Sequence, residues 1–196
     1  SNKKKIGQKL RVNIDCCSYL PDWRPGQNYQ QSVSAKKELG GGVLLELSHE
    51  LDYIRWFFGE MENVYANITN SGKLDIDVED SVDMIFYSLQ GFTIAVHLDF
   101  NTHSIRRTCI ARCTKGDLIW DAVSQKVKWQ PVDGADEVLN FPGERNAIYR
   151  YQLQHFFDCI KKNKEPAVTF EDGAKVLRMV EAARESNSLG KKVSLV

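Results

Sequence analysis

Residues 40–60 read GGGVLLELSHELDYIRWFFGE. Three glycines run into a segment where Val43, Leu44, Leu47, Leu51, Ile54 and Phe58 recur at spacings of three and four, and Gly59 stands at a C-cap position. The spacing predicts a helix from Val43 to Phe58. Into that apolar run the sequence sets Glu46, His49, Glu50 and Asp52. On a helix Glu46, His49, Glu50 and Tyr53 share one polar stripe beside the apolar one. A carboxylate beside an imidazole can fix its tautomer and hold it as a general acid or base near neutral pH. The glycines ahead would let backbone or ligand approach closely. The same spacing also fits an amphipathic helix whose solvated face is Glu-rich, with His49 a surface histidine, and spacing does not separate the two. Asp52 lies off the stripe and is expected to pair with Arg55 or Arg11 as a structural ion pair.

Outward from this helix the chain changes period. QKLRVNIDCCSYL (8–20) alternates Leu10, Val12 and Ile14 with polar residues, which predicts a half-buried strand opening the domain. Residues 21–42, with two prolines, four glycines and many amides, predict a long loop. After Gly59 come MENVYANITN, DSVDMIFYSL, FTIAVHLDFN, IRRTCIARCT, GDLIWDA and QKVKWQP, short alternating runs separated by turn residues such as Gln90-Gly91 and Lys115-Gly116. Links this short predict antiparallel pairing. Two helices follow, at about 145–162 and 171–188, the second with Glu171 and Asp172 in its first turn, and KKVSLV predicts a closing strand. The order predicts an α+β fold: a mainly antiparallel β-sheet with helices packed on one face.

The chain's 196 residues are the length of one ordinary domain, and 42% apolar with 27% charged residues is the balance of a soluble globular protein. Lys plus Arg and Asp plus Glu each total 26, so no net field recruits nucleic acid or an anionic membrane, and neither is an expected partner. No window approaches the roughly 18 apolar residues of a membrane span. SNKKKIGQKL has no apolar signal core, so a cytoplasmic location is expected. Ser1-Asn2 stands where a methionine is expected, the mark of a tag scar or a fragment. The five cysteines are sparse and odd in number, which predicts free thiols. Cys109 and Cys113 have no second Cys or His pair at zinc-like spacing, so no metal is expected. A G-x-G-x-x-G turn and a G-x-x-x-x-G-K-[ST] loop are both missing, so no cofactor-binding residue is assigned in this chain.

In the loop, Tyr19, Asp22, Trp23, Arg24 and Tyr29 combine aromatics with an arginine, the mix that grips a sugar or carboxylated ligand. Pro21 and Pro25 around Trp23 equally fit a packed loop anchor. His97 and Asp99 share one sheet face, where a histidine is commonly a satisfied sheet residue; His103 and His155 have no evident partner.

GGGVLLELSHELDYIRWFFGE resembles the motif of the Gfo/Idh/MocA oxidoreductases, in which a glycine run leads into a helix carrying an acid and then a histidine. PAVTFEDGAKVLRMVEAARESNSLGKKVSLV is similar to that family's C-terminal helix and final strand, and YLPDWRPGQNY looks like a subgroup associated with nucleotide-sugar and sialic-acid-type pathways. The resemblance covers nearly the whole chain. It implies that residues 3–196 are one C-terminal substrate-binding and oligomerisation domain, like those of dihydrodipicolinate reductase and GAPDH. The Rossmann domain of the two-domain enzyme would lie outside this chain. The family's histidine maps on His49, its usual acid on Glu46 and the aspartate closing the motif on Asp52. The acid here is Glu rather than the commoner Asp, and it precedes the histidine by three positions where many members have four. The family's catalytic lysine, in an E-K-P motif, has no counterpart here.

The resemblance further implies NAD or NADP in the complete enzyme and none on this chain, which alone would be inactive. It implies a sugar or nucleotide-sugar substrate that exchanges a proton with catalytic His49, oriented by Glu46 and held by Tyr19, Trp23, Arg24 and Glu50. It also implies a homodimer or homotetramer formed through the sheet face. A rival of another class is a non-enzymatic assembly or ligand-binding domain in which His49 is incidental.

Overall fold

The computed structural model describes residues 3–144 and 146–196. A short helix α1 (Lys3–Ile6), rather than a strand, opens the described chain and leads into β1 (Lys9–Cys17). Strands β2 (Met61–Thr69), β3 (Ser81–Ser88), β4 (Thr93–Asp99), β5 (Arg106–Cys113), β6 (Gly116–Asp121) and β7 (Lys126–Pro131) form at the six alternating runs. An additional strand, β8 (Glu137–Asn140), has every residue exposed and so carries no buried alternation to reveal it. One nine-stranded sheet results, ordered β8-β7-β6-β5-β1-β4-β3-β2-β9, where β9 is Val193–Ser194. Its pairings are antiparallel except β1 with β4.

Three helices cover one face: α2 (Val43–Glu46), α3 (His49–Phe58) and α5 (Phe170–Leu189). Leu44, Leu51, Ile54, Val180 and Ala183 from these helices join Val12, Ile14, Val64, Val82, Phe86, Ile94 and Leu98 from the sheet in one core. The predicted α+β class and mainly antiparallel sheet are what the structure shows. Helix α4 (Ala147–Lys162) stands apart from this layer: it has no buried residue, and Tyr149, Leu153, Phe156, Phe157 and Ile160 are all exposed.

The helix expected from Val43 to Phe58 is broken. At Leu47 the backbone turns to φ −101, ψ 20, and the next bonds, Ser48 N–H to Leu45 O (3.2 Å) and Glu50 N–H to Leu47 O (3.0 Å), span three residues rather than four. One tight turn therefore separates α2 from α3. Tertiary contacts hold the chain on the α2 side of that turn. The N–H of Leu44 donates to Glu79 Oε1 (3.3 Å), and Ser34 Oγ donates to Glu46 Oε2 (3.0 Å).

The glycines ahead of α2 answer to close approach. Gly42 has φ +108, and a Cβ there would strike the Glu79 carboxylate; one on Gly41 would collide with the carbonyl oxygens of Val33 and Ser34. Those contacts press the loop onto the start of α2. The loop itself is wound into four 3₁₀ turns, Leu20–Asp22, Tyr29–Gln31, Val33–Ala35 and Lys37–Leu39. Arg55 bonds Glu60 (2.7 Å) and Asp172 (3.4 Å), tying α3 to the start of α5, so the expected Asp52–Arg55 pair does not form.

Candidate functional site

The break before α3 places His49 and Glu50 in the first turn of a new helix, whose positive end favours a carboxylate. Glu50 points into the protein and is fully buried. Arg107 Nη2 of β5 stands 2.6 Å from Glu50 Oε1, and His49 Nε2 stands 3.1 Å from the same oxygen. Sheet register sets Cys16 of β1 opposite Arg107 and Cys109 opposite Trp120 of β6, so these four side chains face α3 together. The Arg107 guanidinium lies 5.6 Å from the centre of the Trp120 ring, and Tyr53 meets that ring edge-on at 5.4 Å.

The contacts to Glu50 are close but not aligned as hydrogen bonds. Among the described residues, both Glu50 carboxylate oxygens, the Tyr53 hydroxyl and Arg107 Nε are buried without a well-aligned hydrogen bond, although the Tyr53 hydroxyl and the Cys16 thiol lie near enough to Glu50 to be acted on at hydrogen-bond range. Each such group costs about 1–3 kcal/mol when left alone. The Arg107 charge 2.6 Å from Glu50 offsets part of that cost, so the four groups form one buried polar cluster beneath α3.

Burial, and after it the Glu50 carboxylate, pushes the thiols of Cys16 and Cys109 up to about 12 and the Tyr53 hydroxyl far above the phenol range. These thiols keep their protons at neutral pH, so neither is a nucleophile. His49 has a half-exposed side chain. With Nε2 directed at Glu50, its Nδ1 is left for a ligand, and a neutral ring protonated on Nε2 would accept a proton there. Ligand atoms of Cys16, His49 and Glu50 lie within 4.8 Å of one another, a spacing a metal would accept. Arg107 already supplies the positive charge facing Glu50, so the trio suits proton chemistry instead.

The expected site residues fall into separate groups. His49 and Glu50 meet, although Glu50 is buried where a substrate contact was expected. Glu46 bonds Ser34, and the carboxylate within ion-pair reach of His49 is that of Glu50. The i, i+3 proximity assumed for Glu46 and His49 needs a continuous helix, and the turn at Leu47 removes it. Tyr19 stacks on His103 with ring centres 4.0 Å apart. Trp23 donates from Nε1 to Ser18 Oγ (2.9 Å) and meets Phe100 edge-on, the packed-anchor reading of the loop. Trp23 and Arg24 line a recess of about 10 Å³ with Leu20, Gln27, Asn28, Tyr29 and Ser32, room for one water, and His49 is not among its walls.

Sequence reasoning passed over Arg107, Trp120 and Cys16. The signal was present in IRRTCIARCT, where Arg107 shares its strand face with Cys109, Ala111 and Cys113, all buried, so an arginine stands at a core-facing position.

Comparison with known proteins bears on what this cluster belongs to. Residues 12–195 match the model of the Gfo/Idh/MocA group described as the oxidoreductase family C-terminal alpha/beta domain. No curated protein sequence matches the chain. Among solved structures, the chain is similar to levoglucosan dehydrogenase in complex with NADH and L-sorbose (TM-score 0.86, 17% identity, covering 100% of this chain and 61% of that one). It is similar to the aldose-aldose oxidoreductase from Caulobacter crescentus complexed with glycerol (0.82, 22%, covering 98% and 57%). The WlbA dehydrogenase from Bordetella pertussis in complex with NADH and UDP-GlcNAcA is also similar (0.79, 18%, covering 100% and 59%). The chain spans about three-fifths of the length of these structures. At such identities the likeness is one of fold, and it agrees with the family match over almost the entire chain. The chain thus belongs to the Gfo/Idh/MocA oxidoreductase family, as its C-terminal alpha/beta domain.

Proposed function

We propose that this chain is the substrate-side domain of an NAD(P)-dependent oxidoreductase that interconverts a hydroxyl and a carbonyl on a sugar or nucleotide sugar. The observation that carries this reading is His49, half exposed, with Nε2 set on a buried carboxylate that an arginine balances. That is a proton-transfer group with its orienting partner in place. The nicotinamide, held outside this chain, exchanges the hydride when bound.

His49 Nδ1 takes the proton of the substrate hydroxyl during oxidation and returns it during reduction. The Glu50 charge, 3.1 Å from Nε2, favours a ring turned this way, the role spacing gave to Glu46, and Arg107 balances that charge. The sugar class draws support from the fold neighbours crystallised with L-sorbose and UDP-GlcNAcA.

Expressed from its complete reading frame, the protein should bind NADH or NADPH and reduce the oxidised dinucleotide when offered members of a sugar and nucleotide-sugar panel. The 196-residue chain alone should bind neither dinucleotide, because it lacks the glycine turn such sites need. Micromolar NADH binding by the isolated chain in a calorimetric titration, or none by the complete protein, overturns the reading.

We also propose that a second copy covers the outer sheet face. Tyr65 and Ile85 are exposed there, beside the partly buried Tyr87, Ala95, Ile110 and Ile119. A sheet face carrying this much apolar surface calls for cover. Sedimentation should show a dimer or tetramer, and a monomer persisting at high concentration removes the idea.

A further inference from the structure

On the outer face, the parallel pairing of β1 with β4 sets Cys17 opposite Asp99 and Asp15 opposite His97, and β3 brings Asp83 opposite His97. The Cys17 thiol sulfur, an imidazole nitrogen of His97 and a carboxylate oxygen of Asp99 all lie within 4.8 Å of one another. We propose that Cys17, His97 and Asp99 form a binding site for a divalent transition metal of the zinc type. The site does not depend on the catalytic reading of His49, which lies on the other face.

Five features support the assignment. The donor set mixes sulfur, nitrogen and oxygen, which selects a borderline-soft ion over magnesium or calcium. The imidazole is already aimed: His97 Nδ1 bonds Asp83 Oδ1 at 2.8 Å, directing Nε2 at Asp99 Oδ2, 2.9 Å away. A carboxylate on the far nitrogen is the usual means of orienting a ligating histidine. Asp99 is fixed in turn, accepting the N–H groups of Asn101 and Thr102 at 2.7 Å each and the Thr102 hydroxyl at 2.8 Å.

Charge and access supply the remaining two. The ion pairs of Asp83 and Asp99 both run to His97 rather than to a lysine or arginine, and Asp15 adds a third carboxylate on the same face. Arg106, opposite Cys17 on β5, offsets part of that excess, and a cation would meet the rest. Cys17 and Asp99 are buried, while His97 lines an open cavity of about 390 Å³ together with Asn13, Asp15 and Asp83. The cavity reaches the site on the His97 side only, and Tyr65, Ile85 and Ala95 of the face proposed to meet a second copy are among its walls, so an ion would enter before that face is covered.

Bonds of about 2.0–2.3 Å place neighbouring ligand atoms of a tetrahedral site roughly 3.5 Å apart, so the 2.9 Å His97–Asp99 bond must open by about half an ångström. The ion replaces the proton between His97 and Asp99, Cys17 gives up its thiol proton, and both protons pass to solvent. A search by cysteine spacing alone misses such a site, because its ligands come from two strands distant in sequence.

Cobalt(II) titrated into the metal-stripped chain should produce visible ligand-field bands and a near-ultraviolet thiolate-to-cobalt band that saturate at one equivalent and vanish on adding zinc. Cys17→Ser should abolish the thiolate band. Asp83→Asn keeps all three ligands and should weaken cobalt binding about 10- to 100-fold, with circular dichroism confirming the fold. That variant decides the matter if Cys17→Ser does not fold. The proposal is overturned if no thiolate band appears at one equivalent, if it survives Cys17→Ser, if Asp83→Asn binds as tightly as the parent, or if His49→Gln rather than His97→Gln removes it.

Discussion

Replacing His49 with alanine in the complete enzyme should lower turnover by roughly 100-fold or more, the usual loss when a general acid or base is removed. Folding and dinucleotide binding should be nearly unaffected, because the His49 side chain is half exposed and packs in no core. The cause can be separated from a positional effect by the pattern of kinetic constants. A proton-transfer group acts in the transition state, so kcat and kcat/KM should fall together while KM stays near its original value. Glu50→Gln keeps the shape and removes the charge that fixes the ring, and it should reproduce part of the loss. Normal turnover in His49→Ala would return the residue to the solvated face of an amphipathic helix.

Arg107→Met should lower the free energy of unfolding by about 3 kcal/mol. Removing one partner of a buried ion pair strands the other, and here that is Glu50, fully buried. The figure sits at the lower end of the usual range because the Arg107 side chain is itself 37% exposed. Methionine keeps an unbranched stem of similar reach but not the guanidinium that lies over Trp120, so the change chiefly removes the charge. For a chain of this size the loss corresponds to a fall of about 6–12 °C in Tm. Adding Glu50→Gln removes the stranded charge and should recover part of the stability, giving a coupling of about 1 kcal/mol or more. Strict additivity of the two single changes in urea unfolding would mean that the pair does not act as one unit.

Much of this molecule was legible because its signals are local. The apolar spacing of Leu51, Ile54 and Phe58 and the stop at Gly59 need no partner to be read, and neither does the alternation of Val12 with Ile14 or of Val82, Met84 and Phe86. The break at Leu47 was hidden, since the Ser34 and Glu79 contacts that accompany it come from distant parts of the chain. The same non-locality concealed the partnership of Glu50 with Arg107 and that of Cys17 with His97. Both depend on which strands flank β1, and no periodicity encodes that order. The loop misled for a related reason. Trp23 and Arg24 are of a type that binds sugars, but residue type does not say which way a side chain turns.

Adjacent residues at the end of β1 look in opposite directions. Cys16 belongs to the inner cluster with His49 and Glu50, while Cys17 belongs to the outer cluster with His97 and Asp99. Successive strand side chains alternate in direction, so a single thickness of backbone acts as a party wall between two chemically distinct rooms. A displacement of that wall on one side is a displacement on the other, with no chain of intermediaries required. Shifting the strand by one residue would exchange the tenants, sending Asp15 and Cys17 inward and Cys16 out. The register of β1 between β4 and β5 is therefore what keeps the two rooms distinct.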